Sequence, residues 1–476
     1  MFSGLVDSSS NKITKSIEGI IFGPYTQNFT NNSITIIWET QNPTSNNYVE
    51  YGQDSNYGNI KQGLSDCLHH EISITPDFSY GHYRVVSNDI ISDDYEFRLS
   101  TYFNFDNNFK CVFIGDSRGV WDNWGHAKMV ANAVNNESPF FIIHGGDMVD
   151  DGRIITQWNN WLELMMPLMQ NSTIYGVIGN HEKNGERYFE IFSLPNNEKW
   201  YSFDYGPCHF IILDQYNPWD IGTSQYEWLV NDLATTSALF RIVCFHEPIY
   251  CKGGHSPRTD IKKIWEPLFI NYNVRLVVQS HCHYYQRTNQ IENIYYIVTG
   301  GAGAPLYNPG DDWFINISEK AYHYCLIEYN SDNNIRITAH YINGSVFDEF
   351  YINPISSPNP PKINGPTKGN PGEQYEYVFR SYDPNDDDIY LWVDWDDGIE
   401  EGWLGPYASG SEIILNHTWD VKNNYMIKAK SKDINGEESD WATITMSMPR
   451  NKITFNSIYY KLLKYLSIDI LRKYQF

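Results

Sequence analysis

Between Lys110 and Ile352 short apolar runs alternate with segments of helical periodicity, and this alternation narrows the fold more than any other feature of the chain. The runs are Cys111–Ile114, Phe140–Ile143, Ile174–Ile178, Phe210–Leu213, Ile242–Phe245 and Leu276–Val278. Helices are expected over Asn123–Asn135, Ile154–Met169, Ser224–Leu233 and Asp260–Ile270. Strand-length runs separated by helices predict a layered α/β core. On either side the pattern is different. From 17 to 105 short alternating segments such as Ser33–Trp38, Tyr48–Gly52 and His82–Val86 are separated by Asn, Asp, Gly and Pro, which predicts a β-sandwich. A Pro-, Asn-, Gly- and Ser-rich stretch from Pro354 to Pro371 reads as a linker, and short strands return up to Pro449. The expected architecture is therefore an N-terminal β-sandwich, a central α/β domain of four layers and a C-terminal β-sandwich. Its boundaries are an extension over 1–16, a sandwich over 17–105, the α/β domain over 106–352, a linker over 353–361, a second sandwich over 362–449 and a tail over 450–476.

The ends of the α/β runs carry the chemistry. They read Gly115-Asp116-Ser117-Arg118-Gly119, Gly146-Asp147-Met148-Val149-Asp150, Gly179-Asn180-His181-Glu182, Phe245-His246-Glu247-Pro248 and Ser280-His281-Cys282-His283. Sites in open α/β sheets assemble at the carboxyl ends of strands. Two carboxylates, an amide oxygen and three imidazoles (Asp116, Asp147, Asn180, His246, His281 and His283) form a hard-to-borderline donor set. It suits Zn, Fe or Mn better than Ca or a thiolate-bound metal. The set is too large for one tetrahedral ion and fits two ions sharing a bridging carboxylate.

This order of motifs resembles the calcineurin-like metallophosphoesterases, and within them the purple acid phosphatase branch. His283-Tyr284-Tyr285-Gln286-Arg287-Thr288 is similar to that branch's H-x-Y-E-R-T, with Gln286 in place of Glu, and Tyr201–Gly206 through Asp214 is similar too. Gly23-Pro24-Tyr25 and Ile37–Thr40 resemble the fibronectin type III-like domain preceding such enzymes. Asp383–Asp388, Val393–Gly398 and His417-Thr418-Trp419 resemble a PKD-type, immunoglobulin-like module, whose acids are also candidate Ca²⁺ ligands. The resemblance implies that Asp116 and His283 hold a first ion, that Asp147 bridges, and that Asn180, His246 and His281 hold a second. It implies that His181 contacts phosphate and protonates the leaving alkoxide, and that His255 binds substrate. Two positions depart from the pattern. Arg118 stands where many members have the His of D-x-H, and Asp150 where the purple branch has Tyr. Arg118 is expected to clamp a phosphate oxygen, with weakening of metal binding by repulsion as the alternative, while pairing of Asp150 and Asp151 with Arg118, Arg153 or solvent is an alternative at least equal to metal ligation by Asp150.

The implied activity is hydrolysis of phosphomonoesters by a dinuclear metal centre. The alternatives are a nucleotide phosphodiesterase and a non-catalytic surface-binding protein on the same scaffold. The partner expected is a small phosphorylated substrate. With 34 Lys and Arg against 58 Asp and Glu the net charge is −24, which excludes non-specific binding of a nucleic-acid polymer. No run of 18 apolar residues occurs, and the first residues lack the pattern of a signal peptide. The β-appendages favour an extracellular or cell-surface location, with the cytoplasm as the alternative. The tail carries Ile458, Leu462, Leu466 and Ile470 at helical spacing and a positive balance, so it is expected to dock on the protein, with contact to an anionic membrane as the alternative. There are seven cysteines and no C-x-x-C pair, and most, such as Cys111 and Cys244, are expected to be small core residues in strands.

Overall fold

The computed structural model describes residues 19–100, 108–183, 185–329, 334–354, 357–384, 387–434 and 436–448. The N-terminal extension and the basic tail lie outside the described residues. The chain is a multidomain, β-rich protein that divides into two compact units at Pro354 and Ile355.

In the first unit, strands Ile20–Gln27, Ile34–Thr44 and Cys67–Ile74 form one antiparallel sheet. Strands Asn59–Gln62, Asn47–Gly52, Tyr80–Ser87 and Ile90–Ile91 form a second, with Tyr95–Arg98 also paired to Tyr80–Ser87. Trp38 joins the two. It is fully buried and stacks on His70, and its indole N–H donates to Ser87 Oγ at 2.8 Å. These strands pack directly on the α/β region. Tyr25 donates to Ile191 O, Tyr83 donates to Gln170 O, and Arg187 grips Glu39 through two bonds of 2.7 and 2.9 Å. Burial opposes the Glu39 charge, but its hydrogen bonds to His69 and Arg187 prevail and hold its carboxyl down at about 2.

Two large sheets follow. The first has the order Thr173–Gly176, Phe141–His144, Phe109–Ile114, His323–Tyr329, Ile335–Tyr341 and Val346–Ile352; its first three strands are parallel. The second runs Tyr201–Tyr205, Cys208–Ile212, Phe240–Cys244, Val274–Gln279, Tyr295–Thr299, Tyr285–Thr288 and Ile315–Glu319. Its parallel part extends from Cys208–Ile212 through Tyr295–Thr299. Strand periodicity assigns the faces. Phe210, Ile212, Ile242, Leu276 and Val278 join the core shared with the first sheet, where Phe141, Phe203 and Phe210 meet edge-on and stacked. Ile211, Val243 and Val277 face the other way, onto Leu229 and Leu233 of helix Ser224–Thr235 and Ile261, Trp265 and Phe269 of helix Thr259–Asn271. Because both sheets run parallel where the motifs occur, all five motif loops leave from carboxyl ends. Six of the seven cysteines are buried and all are free.

The second unit has a three-stranded sheet (Lys362–Asn364, Gln374–Arg380, Ile413–Thr418). It also has a four-stranded sheet ordered Leu404–Tyr407, Ile389–Asp394, Asn424–Asp433 and Ala442–Ser447. The core is built on Trp395 and Trp419, both fully buried. The calcium expectation gains no support here. Asp394 and Asp396 accept backbone amides at 2.8 Å, and Asp397 accepts from Ile399 N and pairs with His417 at 2.7 Å, so these acids serve turns and cross-strand contacts.

Candidate metal centre

Three of the expected ligands occupy strained backbone. Asp116, Asp147 and His281 have φ of 58°, 55° and 66°, in the left-handed region that costs a non-glycine residue energy and persists only where surrounding contacts enforce it. The enforcing contacts are visible. His281 N donates to Asp116 Oδ2 at 2.7 Å, and His181 N donates to Asp147 Oδ1 at 2.9 Å. Glu182, buried beneath both loops, accepts from Asp147 N (3.0 Å), Met148 N (2.8 Å) and Gly179 N (2.6 Å). Burial, followed by the Asp147 charge, pushes the Glu182 carboxyl up to about 7. The glycines of the motifs are spacing elements. A Cβ on Gly146, itself at φ 94°, would lie 2.7 Å from His246 Nδ1, and one on Gly179 would lie 2.3 Å from Asp147 Oδ1.

Asp147, His246 and His281 bring their ligand atoms within 4.8 Å of one another. His246 Nδ1 lies 2.7 Å from Gly145 O, which can only accept, so Nδ1 carries the proton and Nε2 points into the cluster. There Nε2 meets Asp147 Oδ1 at 3.3 Å, Asn180 Oδ1 at 3.2 Å and His281 Nδ1 at 3.2 Å. Four lone-pair atoms converge, and a single proton can serve only one contact at a time, whereas a cation serves all four. The electrostatics agree. Burial opposes charge on His246, but Asp147 and Asp116 outweigh it and push its pKa up to about 10. Burial and the neighbouring His246 push His281 down to about 2. Asp147 is held below the usual carboxylate range, burial being overcome by His246 and His181. Asp147, His246 and His281 are thus placed where their ligand atoms suit a metal ion, and Asn180 Oδ1 lies beside them.

The other two expected ligands meet a different neighbour. His283 Nδ1 donates to Pro305 O at 2.8 Å, so its Nε2 holds the single lone pair, 3.4 Å from Asp116 Oδ1. That lone pair accepts from Arg118 Nη2 at 3.1 Å. Arg118 also donates through Nη1 to Asp150 Oδ1 at 2.9 Å, and its Nε lies 3.8 Å from Asp147 Oδ2. Asp150 thus pairs with Arg118, the alternative that left it outside the ligand set. Asp116 Oδ1 is buried with no hydrogen-bond partner.

His181 sits at the rim. Its Nδ1 donates to Asp150 O at 2.6 Å, which turns Nε2 toward Asp147 Oδ2, 3.9 Å away. His255 is exposed on one face and lies against His281 on the other, with ring centroids 4.0 Å apart. Burial and the nearby His283 lower its pKa. The fold therefore gathers all nine singled-out residues in one place. Three further residues had no role assigned from sequence. Glu182 clamps the two loops. Tyr307 stacks on His283 at 4.1 Å and meets His255 at 5.5 Å. Gln286 accepts from Lys252 N at 2.9 Å and donates to Ser318 Oγ at 3.0 Å, tying down the His255 loop with a donor that a Glu lacks.

The fold and the site agree with one match: residues 109–285 match the family model of the calcineurin-like phosphoesterases. The chain's similarities run to the purple acid phosphatases. Purple acid phosphatase 13 of Arabidopsis thaliana is 30% identical over 174 residues, covering 31% of this chain and 32% of that protein. Probable inactive purple acid phosphatase 24 of the same plant is 23% identical over 356 residues, covering 58% of this chain and 54% of that protein. The first of these matches spans about a third of the relative's length. The purple acid phosphatase PPD1 from yellow lupin seeds shares the fold, with a TM-score of 0.62 at 18% identity over 69% of this chain and 74% of that one. Among the described residues no helix is long and apolar enough to cross a membrane.

Proposed function

We propose that this protein is a metal-dependent hydrolase of phosphomonoesters. The observation that carries the reading is the convergence of Asp147, Asn180, His246 and His281, with the backbone N–H groups of Asp147 and His281 and the second ring nitrogen of His246 each held by a hydrogen bond. A divalent ion bound by these four supplies Lewis-acid charge for the phosphoryl oxygens and for water. Zn, Mn and Fe all suit the donor set.

The chain's own residues do the rest. The Asp150 carbonyl holds the His181 ring with Nε2 toward the centre, and in its doubly protonated form that ring presents an N–H to the leaving oxygen. The His255 ring is placed beside His281 to hydrogen-bond a phosphoryl oxygen. Arg118, buried and fixed by Asp150 and His283, offers guanidinium N–H groups to the same phosphoryl group. The buried floor makes these charges more effective than they are in bulk water. A small phosphorylated substrate and an extracellular or cell-surface setting remain the accompanying parts of this reading.

The test uses the full chain loaded with Zn, Mn or Fe and compares 4-nitrophenyl phosphate with its diester. Monoester turnover should dominate. Asp147→Asn should abolish it and release most of the metal. His181→Ala should keep the metal and lower kcat by about 10²–10⁴-fold for poor leaving groups, with a smaller loss for good ones. Metal-loaded protein with no turnover of either ester, or Asp147→Asn at near-normal rate, refutes the reading.

A further inference from the structure

The expectation of two ions requires that Asp116, Asp147 and His283 be free to bind one of them. His283 has a single lone pair to give, and Arg118 Nη2 already donates to it at 3.1 Å. The guanidinium is not a passing surface group. Arg118 is 7% exposed. It is pinned by Asp150 at 2.9 Å, and the Trp121 ring lies over it at 5.0 Å. Its own backbone N–H donates to Asp147 O at 3.3 Å, so the segment carrying Arg118 is fastened to the segment carrying the shared carboxylate. A metal on His283 Nε2 needs a bond of about 2.0–2.1 Å along the line that the Nη2–H now occupies. Arg118 would then have to leave a buried position, and Asp150 would lose its partner.

The charges point the same way. Asp116, Asp147 and Asp150 supply three negative charges facing this space. One divalent ion and one guanidinium balance them. Two divalent ions together with the guanidinium leave an excess of two positive charges in a buried pocket, and like charges at such separations repel strongly where water is scarce.

We propose that the site holds one metal ion, at Asp147, Asn180, His246 and His281, and that the guanidinium of Arg118 is the fixed second cation in the place where the resemblance puts the first ion. This rests on the metal-dependent reading above. It assigns Asp150 as the anchor of that guanidinium rather than a ligand, and it explains why Arg and Asp depart together from the expected His and Tyr. A guanidinium can neutralise phosphoryl charge and orient its oxygens through paired N–H groups, but it cannot coordinate water. The two cationic contacts are kept while their chemistry becomes unequal.

The test counts ions. Full-length protein is reconstituted with Mn²⁺, freed of excess metal, and measured by elemental analysis and electron paramagnetic resonance. Wild type should hold one Mn²⁺ per chain and give the six-line spectrum of an isolated ion. Arg118→His, which restores D-x-H and frees His283, should take up a second ion and show exchange coupling between the two. Arg118→Ala should also admit a second ion, more weakly, and serves if the His variant does not fold. Two ions with exchange coupling in the wild type overturn this inference and leave the metal-dependent reading standing. No bound ion in the wild type overturns both. A second ion absent from both folded Arg118 variants also overturns it, because removing the guanidinium would then not have freed a site.

Discussion

Glu182 is the residue on which the geometry of the centre depends most, and Glu182→Gln isolates its contribution. One carboxylate oxygen accepts from both Asp147 N and Gly179 N, at 3.0 and 2.6 Å, and the other accepts from Met148 N at 2.8 Å. A glutamine of the same shape keeps one oxygen, which can retain the first pair of bonds. Its NH₂ group then faces the Met148 N–H, donor against donor, in a pocket where Glu182 is 1% exposed. Losing one charge-assisted bond and leaving a buried amide unpaired costs about 2–4 kcal/mol. The cost falls on Asp147, whose φ of 55° is sustained by this clamp. Partners that orient a ligand are typically worth about 10–100-fold in metal affinity.

The expected outcome is therefore double. Chemical denaturation of the metal-free protein should show a loss of about 2–4 kcal/mol, read as a fall in midpoint with unchanged slope. Titration with Zn²⁺ should show affinity reduced about 10–100-fold. Glu182→Ala should exceed Glu182→Gln in both measurements, since it abandons three amides rather than one. A Glu182→Gln protein within about 0.5 kcal/mol of wild type and with unchanged affinity would refute the argument that this carboxylate shapes the site.

Gly146→Ala should lower both stability, by more than about 1 kcal/mol, and metal affinity, because the new Cβ adds left-handed strain and meets His246 Nδ1 at 2.7 Å. Gly222→Ala, at φ 83° with nothing within 4 Å, should cost stability alone, so equal metal loss in both variants would contradict the steric account. Away from the centre, burial opposes charge on His209, but its bonds to Asp204 and Asp232 prevail and push its pKa up to about 9. The folded pKa is the higher one, so His209 stabilises fully below about pH 6.5 and the gain is lost as pH rises through 9, by at most about 3 kcal/mol. His209→Gln should flatten stability over that window, and an unchanged profile by thermal denaturation counts against it. An iron-loaded, oxidised sample should lack a strong visible band: Asp150 replaces the tyrosine, while Tyr284 and Tyr285 donate to Gly253 O and Asp348. A band removed by Tyr284→Phe, Tyr285→Phe or Tyr307→Phe would overturn that.

Much of the centre was legible because its ligands follow apolar runs in chain order, and parallel strands deliver successive carboxyl ends to one edge of a sheet. The helices begin close to where periodicity placed them; the expected Asn123–Asn135, for example, is Gly125–Glu137. The strands from Ile315 to Ile352 were harder to read. All pair antiparallel, and two of them, Ile315–Glu319 and Val346–Ile352, close the edges of their sheets, so their local pattern resembles that of the flanking β-modules. The roles of Glu182 and Tyr307 were not legible, because accepting amides from two loops, or stacking on a distant histidine, is a property of tertiary placement. Arg118 shows the limit most clearly. From the sequence it is a cation two positions after an expected ligand, read as a clamp for a phosphate oxygen, with nothing in its spacing to say which protein groups it meets. What decides its role is a proton count in the folded chain. Pro305 O fixes the proton of His283 on Nδ1, that leaves one lone pair on Nε2, and Arg118 is the donor that meets it. The identity of the residue and its spacing were available from the beginning. The tautomer of its partner, set by a carbonyl brought in from another loop, was not.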